Sequence, residues 1–145
     1  METKNRTAIT VETTVEAPVD KAWKTFTDPS DITQWCQASD DWHAPFAEND
    51  LRTGGRFKTT MAAKDKSMQF DFGGVYSNVQ PKKLIEYSMD DGRKVKVVFT
   101  PLGASTKVTE TFEAEDTHSV DMQRDGWQAI LDNYKKFTER SVASL

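Results

Sequence analysis

From about residue 42 to 113 the chain alternates strand-like segments with turns almost without interruption, and this run constrains the fold more than any other feature. The segments are "HAPFAENDL", "GRFKTTMAA", "MQFDFGGVYSNV", "KLIEYSM", "RKVKVVFT" and "TKVTETFEAE". Between them lie "RTGG", "AKDKS", "QPK", "DDGR" and "PLGAS", turn-forming stretches too short to hold a helix. Strands joined this closely pair antiparallel, because a parallel pair needs a crossover connection. After Ser119, whose side chain suits a helix N-cap, the apolar period changes from two residues to about 3.6.

On a helical wheel, Val120, Met122, Gly126, Trp127, Ile130, Leu131, Tyr134 and Phe137 fill one half of this last segment. The other half holds Arg124, Asp125, Gln128, Asp132, Lys135 and Lys136. A helix with so broad an apolar face needs a surface to cover, and a curved antiparallel sheet supplies one. Upstream, "ITVETTVEA" alternates Ile9, Val11, Thr13 and Val15 against Thr10, Glu12, Thr14 and Glu16, the period of a half-buried strand. Pro18 then opens a short helix with Val19, Ala22, Trp23 and Phe26 at helical spacing. Asp28 caps a second one, "DPSDITQWC", with Pro29 at its first position. The expected fold is α+β: a curved antiparallel sheet of about seven strands wrapped around a long C-terminal helix, with two short helices after strand one. Curling a sheet around a helix leaves an interior that side chains need not fill, above all where Gly73 and Gly74 sharpen the curvature.

Length and charge narrow the function classes. The 145 residues predict one domain spanning 1–145, with the polar "METKNRT" at 1–7 frayed. A net charge of -4 argues against a nucleic-acid partner, and Arg93, Lys94 and Lys96 read as the solvated flank of a strand. No run approaches the roughly eighteen apolar residues of a membrane-spanning helix, so no membrane insertion is expected. The single cysteine, Cys36, excludes an intrachain disulfide, and the N-terminus lacks the apolar core of a signal peptide, so the expected location is cytoplasmic.

Four stretches, taken in order, carry a resemblance. They are "ITVETTVEAPVDKAWKTFTDPSDITQW", the "DLRTGGRF" turn, the "GGVYSNVQPKKLIEY" strand pair and the final "GWQAILDNY". From Ile9 to about Phe137 the chain resembles the activator of heat-shock-protein-90 ATPase homologue-like family, within the START-like, birch-pollen-allergen-like (SRPBCC) superfamily. The resemblance implies a helix-grip fold whose curved sheet encloses a hydrophobic cavity against the C-terminal helix. It also implies that Trp35 stands where this superfamily places the cavity mouth. The fold itself hosts binding, transport and catalysis, so function has to be argued from the site.

The strand "TKVTETF" puts Thr106, Val108, Glu110 and Phe112 on one face. Facing inward, Glu110 projects into the cavity, where burial raises a carboxyl pKa unless a cation or donors hold the charge. It is then a ligand anchor or a general acid/base; the alternative is a carboxylate near a strand end that reaches water or a basic neighbour. Met68, Phe70 and Phe72 share a face of their strand, joined by Tyr76 if no bulge intervenes at the glycine pair, and Tyr87 and Phe99 add aromatics from later strands. These rings fill a core or line a ligand box, and both descriptions hold if the core is hollow. With Trp35, Val108, Met122, Gly126, Trp127 and Ile130 they complete the expected cavity lining. Gly126, inside a helix where glycine costs about 1 kcal/mol against alanine, either opens space next to the sheet or allows close backbone packing.

Other chemistries fare poorly. Cys36 and His43 lack an oxyanion loop and an orienting carboxylate, which leaves no nucleophile-base pair of substance. His43 and His118 are far apart without ligand spacing, so no metal is expected, and "TGGR" lacks the continuation of a phosphate loop. No cofactor is expected. The leading expectation is binding of a small hydrophobic or amphipathic ligand, lipid-like or polyketide-like, between sheet and C-terminal helix. The alternatives are an interaction module acting on a chaperone ATPase and a cyclase- or hydrolase-like enzyme using Glu110.

Overall fold

Side-chain alternation in the strand segments and the caps at Asp28 and Ser119 are both realised in the computed structural model, which describes residues 7–37 and 39–143. In chain order the elements are β1 (Ala8–Val15), α1 (Val19–Thr27), α2 (Pro29–Trp35), β2 (Trp42–Asn49), β3 (Arg56–Ala63), β4 (Gln69–Gln80), β5 (Leu84–Met89), β6 (Lys94–Pro101), β7 (Thr106–Glu113) and α3 (Val120–Ala143). The expected fraying of 1–7 concerns residues that, apart from Thr7, lie outside those described. The Thr7 carbonyl accepts a hydrogen bond from the Ala114 N–H.

The seven strands form one antiparallel sheet in the order β1-β7-β6-β5-β4-β3-β2. Strands β2 to β7 follow each other as a meander, and β1 closes on β7 with Val11 opposite Glu110. The sheet curls into a half-barrel over α3, the α+β helix-grip arrangement. Its inner face is built by the period of two: Ile9, Val11 and Val15 from β1, Val95, Val97 and Phe99 from β6, and Thr106, Val108, Glu110 and Phe112 from β7 are all buried. At the free edge, Pro45 sits in the register irregularity between His43 and Phe46 of β2, where a missing N–H breaks no ladder.

Curvature has a local cause in β4. A Cβ on Gly74 would lie 2.2 Å from the Ser88 carbonyl oxygen, so only glycine lets β4 and β5 approach this closely. Pairing with β3 stays regular through Gly73 and Gly74. The irregularity against β5 comes between Tyr76 and Asn78, so Tyr76 keeps the same face as Phe72 and pairs with Tyr87.

Helix α1 starts directly after Pro18 without a side-chain cap, whereas α2 is capped as its sequence requires. Asp28 accepts from the Ser30 N–H at 2.9 Å, with Pro29 at the first helical position. Thr25 of α1 shares a 2.7 Å hydrogen bond with Thr138 of α3, and the Tyr134 hydroxyl donates to the Ala22 carbonyl at 2.6 Å. Both links are buried and hold α1 against α3.

On α3, Ser119 accepts from the Met122 N–H at 3.1 Å as an N-cap. The inward stripe, however, runs through Gln123, Leu131, Tyr134 and Thr138. Gln123 faces in because its side chain accepts from the Glu115 N–H and donates to the His118 carbonyl, tying down the loop before the helix. Gly126 then stands about 100° and Met122 about 140° from the middle of that stripe. Met122 is 61 % exposed, which corrects its expected place in the cavity lining.

Candidate functional site

A pocket of about 290 Å³ lies between the inner face of the sheet and the three helices. Phe57, Thr59 and Met61 of β3, Phe70, Phe72 and Tyr76 of β4, and Ile85, Tyr87 and Met89 of β5 form its sheet wall. The helices contribute Phe26 and Thr27, Ile32 and Trp35, and Trp127 and Ile130. Cys36, Arg93, Glu110, and Glu48 with Asn49 complete the lining. Phe70, half exposed, and Glu48, exposed, stand at its rim.

The rings hold one another. Phe57 lies 4.7 Å from Tyr87 and 5.1 Å from Tyr76 between ring centroids, and Phe72 reaches Trp127 at 6.0 Å. Most meet edge to face, which suits their quadrupoles. At the other end Phe26, Trp35 and Tyr134 form a knot, and the Trp35 indole N–H donates to the Thr25 carbonyl at 2.8 Å. Trp35 is therefore a buried, pinned wall of the pocket and not a loose residue at its mouth.

The polar groups on the wall divide into two sets. The Tyr76 hydroxyl donates to Asn49 Oδ1 at 2.5 Å, and Asn49 Nδ2 donates to the Thr27 carbonyl at 2.7 Å, linking β4, β2 and α1. Arg93 is turned to its own surroundings, with Nε on Asp91 at 2.8 Å and a guanidinium NH on the Glu113 carbonyl. The thiol of Cys36 contacts the Met61 sulfur at 3.7 Å, and burial pushes its pKa up to about 12.

Glu110, Tyr87 and Thr59 form the other set: their side chains are buried and have no hydrogen-bond partner among the described residues. Glu110 is flanked across the sheet by Val11 and Val97. Burial among apolar groups, with no cation or donor against it, raises its carboxyl to about 8. The Tyr87 hydroxyl is held well above its ordinary value, first by burial and then by the neighbouring Glu110 charge.

Of the residues expected to line a cavity, Trp35, Phe70, Phe72, Tyr76, Tyr87, Glu110, Trp127 and Ile130 meet on this pocket. Phe99 and Val108 do not: Phe99 packs edge to face on Trp23 and Phe26, and Val108 lies beside it in the solid part of the core. Gly126 is not on the pocket either, and a Cβ there would meet nothing within 4 Å, which removes the close-packing alternative. Phe26, Phe57, Met61, Asn49 and Arg93 were not expected. Phe57 and Met61 were within reach, since "RFKTTMAA" alternates; Phe26 and Asn49 depend on how α1 and β2 fold over the sheet.

Among the described residues, no group of three or more His, Cys, Asp or Glu side chains is gathered as a metal site, and no helix is long and apolar enough to cross a membrane.

Comparison with known proteins places this geometry. The model of the family described as "Activator of Hsp90 ATPase homolog 1-like protein" matches residues 16–139. The solution structure of an AHSA1-like protein from Aeromonas hydrophila is similar at 41% identity, over 93% of this chain and 94% of that one, with a TM-score of 0.87. A protein of known solution structure from Cytophaga hutchinsonii is 52% identical over 94% of this chain and 95% of its own, with a TM-score of 0.79. A crystal structure from Chromobacterium violaceum, 22% identical over 92% of this chain and 98% of that one, shares the fold at a TM-score of 0.82. No curated protein matches the sequence significantly.

Proposed function

The chain belongs to the activator of Hsp90 ATPase homolog 1-like family, and from that premise we propose that it binds a small hydrophobic or amphipathic molecule, lipid-like or polyketide-like, in the pocket between sheet and α3. The observation that carries this reading is the pocket itself. About 290 Å³ of space walled by aromatic rings and interrupted by a buried carboxyl that has no partner among the described residues suits an apolar body with a polar group. Burial of apolar surface supplies affinity at roughly 25 cal/mol per Å² before the costs of association, and the polar groups set orientation. A solid core would have no use for a carboxylic acid left without a partner, among the described residues, on the buried face of β7 between Val108 and Phe112. Titration of labelled protein with fatty acids, sterols and aromatic polyketides tests this by nuclear magnetic resonance. Shifts at Phe72, Tyr87, Glu110 and Trp127 are expected; a spectrum unmoved by every member of the panel removes the reading.

A second reading rests on the family's own description. A chaperone ATPase as partner would be met at the surface, where the exposed Phe46 of edge strand β2 and Phe70 lie on the side away from β1. An ATPase assay with the cognate chaperone separates the two: stimulation that survives blocking of the pocket supports the surface reading.

A further inference from the structure

Resting on the pocket-binding reading, we infer that the Glu110 carboxyl and the Tyr87 hydroxyl form a two-donor anchor for a single neutral oxygen acceptor, a ketone- or phenol-type group, on an otherwise apolar ligand. Among the described residues, no fully occluded side-chain nitrogen or oxygen lacks a hydrogen-bond partner. Glu110 and Tyr87 have no partner, so their oxygens retain contact with open space, and the pocket that both line is that space. They belong to β7 and β5, with β6 between, and they sense each other electrostatically. The Thr59 hydroxyl, also partnerless, stands on β3, four strands from Glu110.

The charge surroundings select the kind of ligand group. Val11 from β1 and Val97 from β6 flank Glu110 with hydrocarbon, and Cys36, Tyr87 and Tyr134 face it as neutral groups. The cation on the pocket wall, Arg93, is engaged by Asp91 and Glu113. An anionic headgroup would therefore be stripped of water without a free cation to meet it. With its carboxyl raised to about 8, Glu110 carries its proton at neutral pH and donates it, as an acid kept neutral by an apolar site does beside a tyrosine in an oxyanion-binding pair. Tyr87 and Cys36 titrate too high to interfere.

Three probes on one skeleton test the anchor: acetylnaphthalene, naphthoate and naphthylmethylamine, titrated calorimetrically into the full chain from acid to mildly alkaline pH. The ketone should bind more tightly than the carboxylate, with constant affinity below a pH of about 8 and about tenfold weaker affinity per unit above it. Tyr87→Phe should weaken the ketone about tenfold. Glu110→Gln, which keeps the shape but not the titrating proton, should flatten the pH profile. An amine that outbinds the ketone and tightens as pH rises, or a ketone affinity that does not fall above about 8, overturns the anchor while leaving ligand binding intact. Failure of all three probes to bind overturns the anchor, and the pocket-binding reading falls with it when the fatty-acid, sterol and polyketide panel also leaves the spectrum unmoved.

Discussion

Trp127 of α3 lies flat on Phe112 of β7, with ring centroids 3.9 Å apart and planes 8° from parallel. This stack joins the long helix to the β1–β7 side of the curled sheet, and Trp127 also meets Phe72 of β4 across the pocket. Helix α3 is thus held over the sheet by a ring that is at once core and pocket wall.

Truncating that ring should be costly. Trp127→Ala removes both aromatic contacts and enlarges the pocket, and a loss of about 3 kcal/mol is expected from urea denaturation. A loss below about 1 kcal/mol would mean that the stack follows the helix position and does not fix it.

Glu110 makes stability depend on pH in an unusual direction. Its carboxyl titrates near 4.5 when unfolded and near 8 when folded, so between those values the native state binds the proton that the unfolded chain has released. The group's contribution is fully present below about 4.5 and is lost as pH rises through 8, on the order of 5 kcal/mol in all. Glu110→Gln cannot ionise. The stability of the variant relative to the native protein should therefore climb steadily from pH 4.5 to 8 and then level, as read by denaturant midpoints. Parallel pH curves for the two proteins would show that Glu110 is not desolvated.

Gly126→Ala should stabilise the protein by about 0.5 to 1 kcal/mol. Glycine is unfavourable inside a helix, and the new methyl meets nothing within 4 Å. Thermal unfolding checks it; a lower midpoint would mean that the helix leans closer to a neighbour than the geometry allows.

Cys36 should resist alkylation. It is buried against Met61 with its thiol raised to about 12, so iodoacetamide at mildly alkaline pH should label it only after unfolding. Rapid labelling of native protein, followed by mass spectrometry, would reveal opening of the α2–β2 region.

Particular residues show how much could be read before folding. The alternation in "TKVTETF" put Glu110 indoors, because a strand's period of two leaves no freedom once Val108 and Phe112 are inside. Helix α3 was less determinate. Its apolar arc spans nearly half the wheel, and tertiary contacts, those of Gln123 with the preceding loop, Thr138 with Thr25, Tyr134 with Ala22 and Trp127 with Phe112, leave Met122 facing outward and Gly126 on the flank. Phe99 was legible as inward-facing yet not as solid core, since the choice depends on Trp23 and Phe26 arriving from α1.

The order of strands and helices, the caps at Asp28 and Ser119, and the inward sides of β1 and β7 follow from the sequence by itself, because each depends on neighbours a few residues away. Whether Glu110 finds a partner was decided only in three dimensions. The arginine on the pocket wall is drawn to Asp91 and Glu113, the valines beside Glu110 come from β1 and β6, and the space in front of it is enclosed by the three helices and strands β2 to β5. A charge's surroundings are set by long-range closure of the sheet, and no local pattern encodes them.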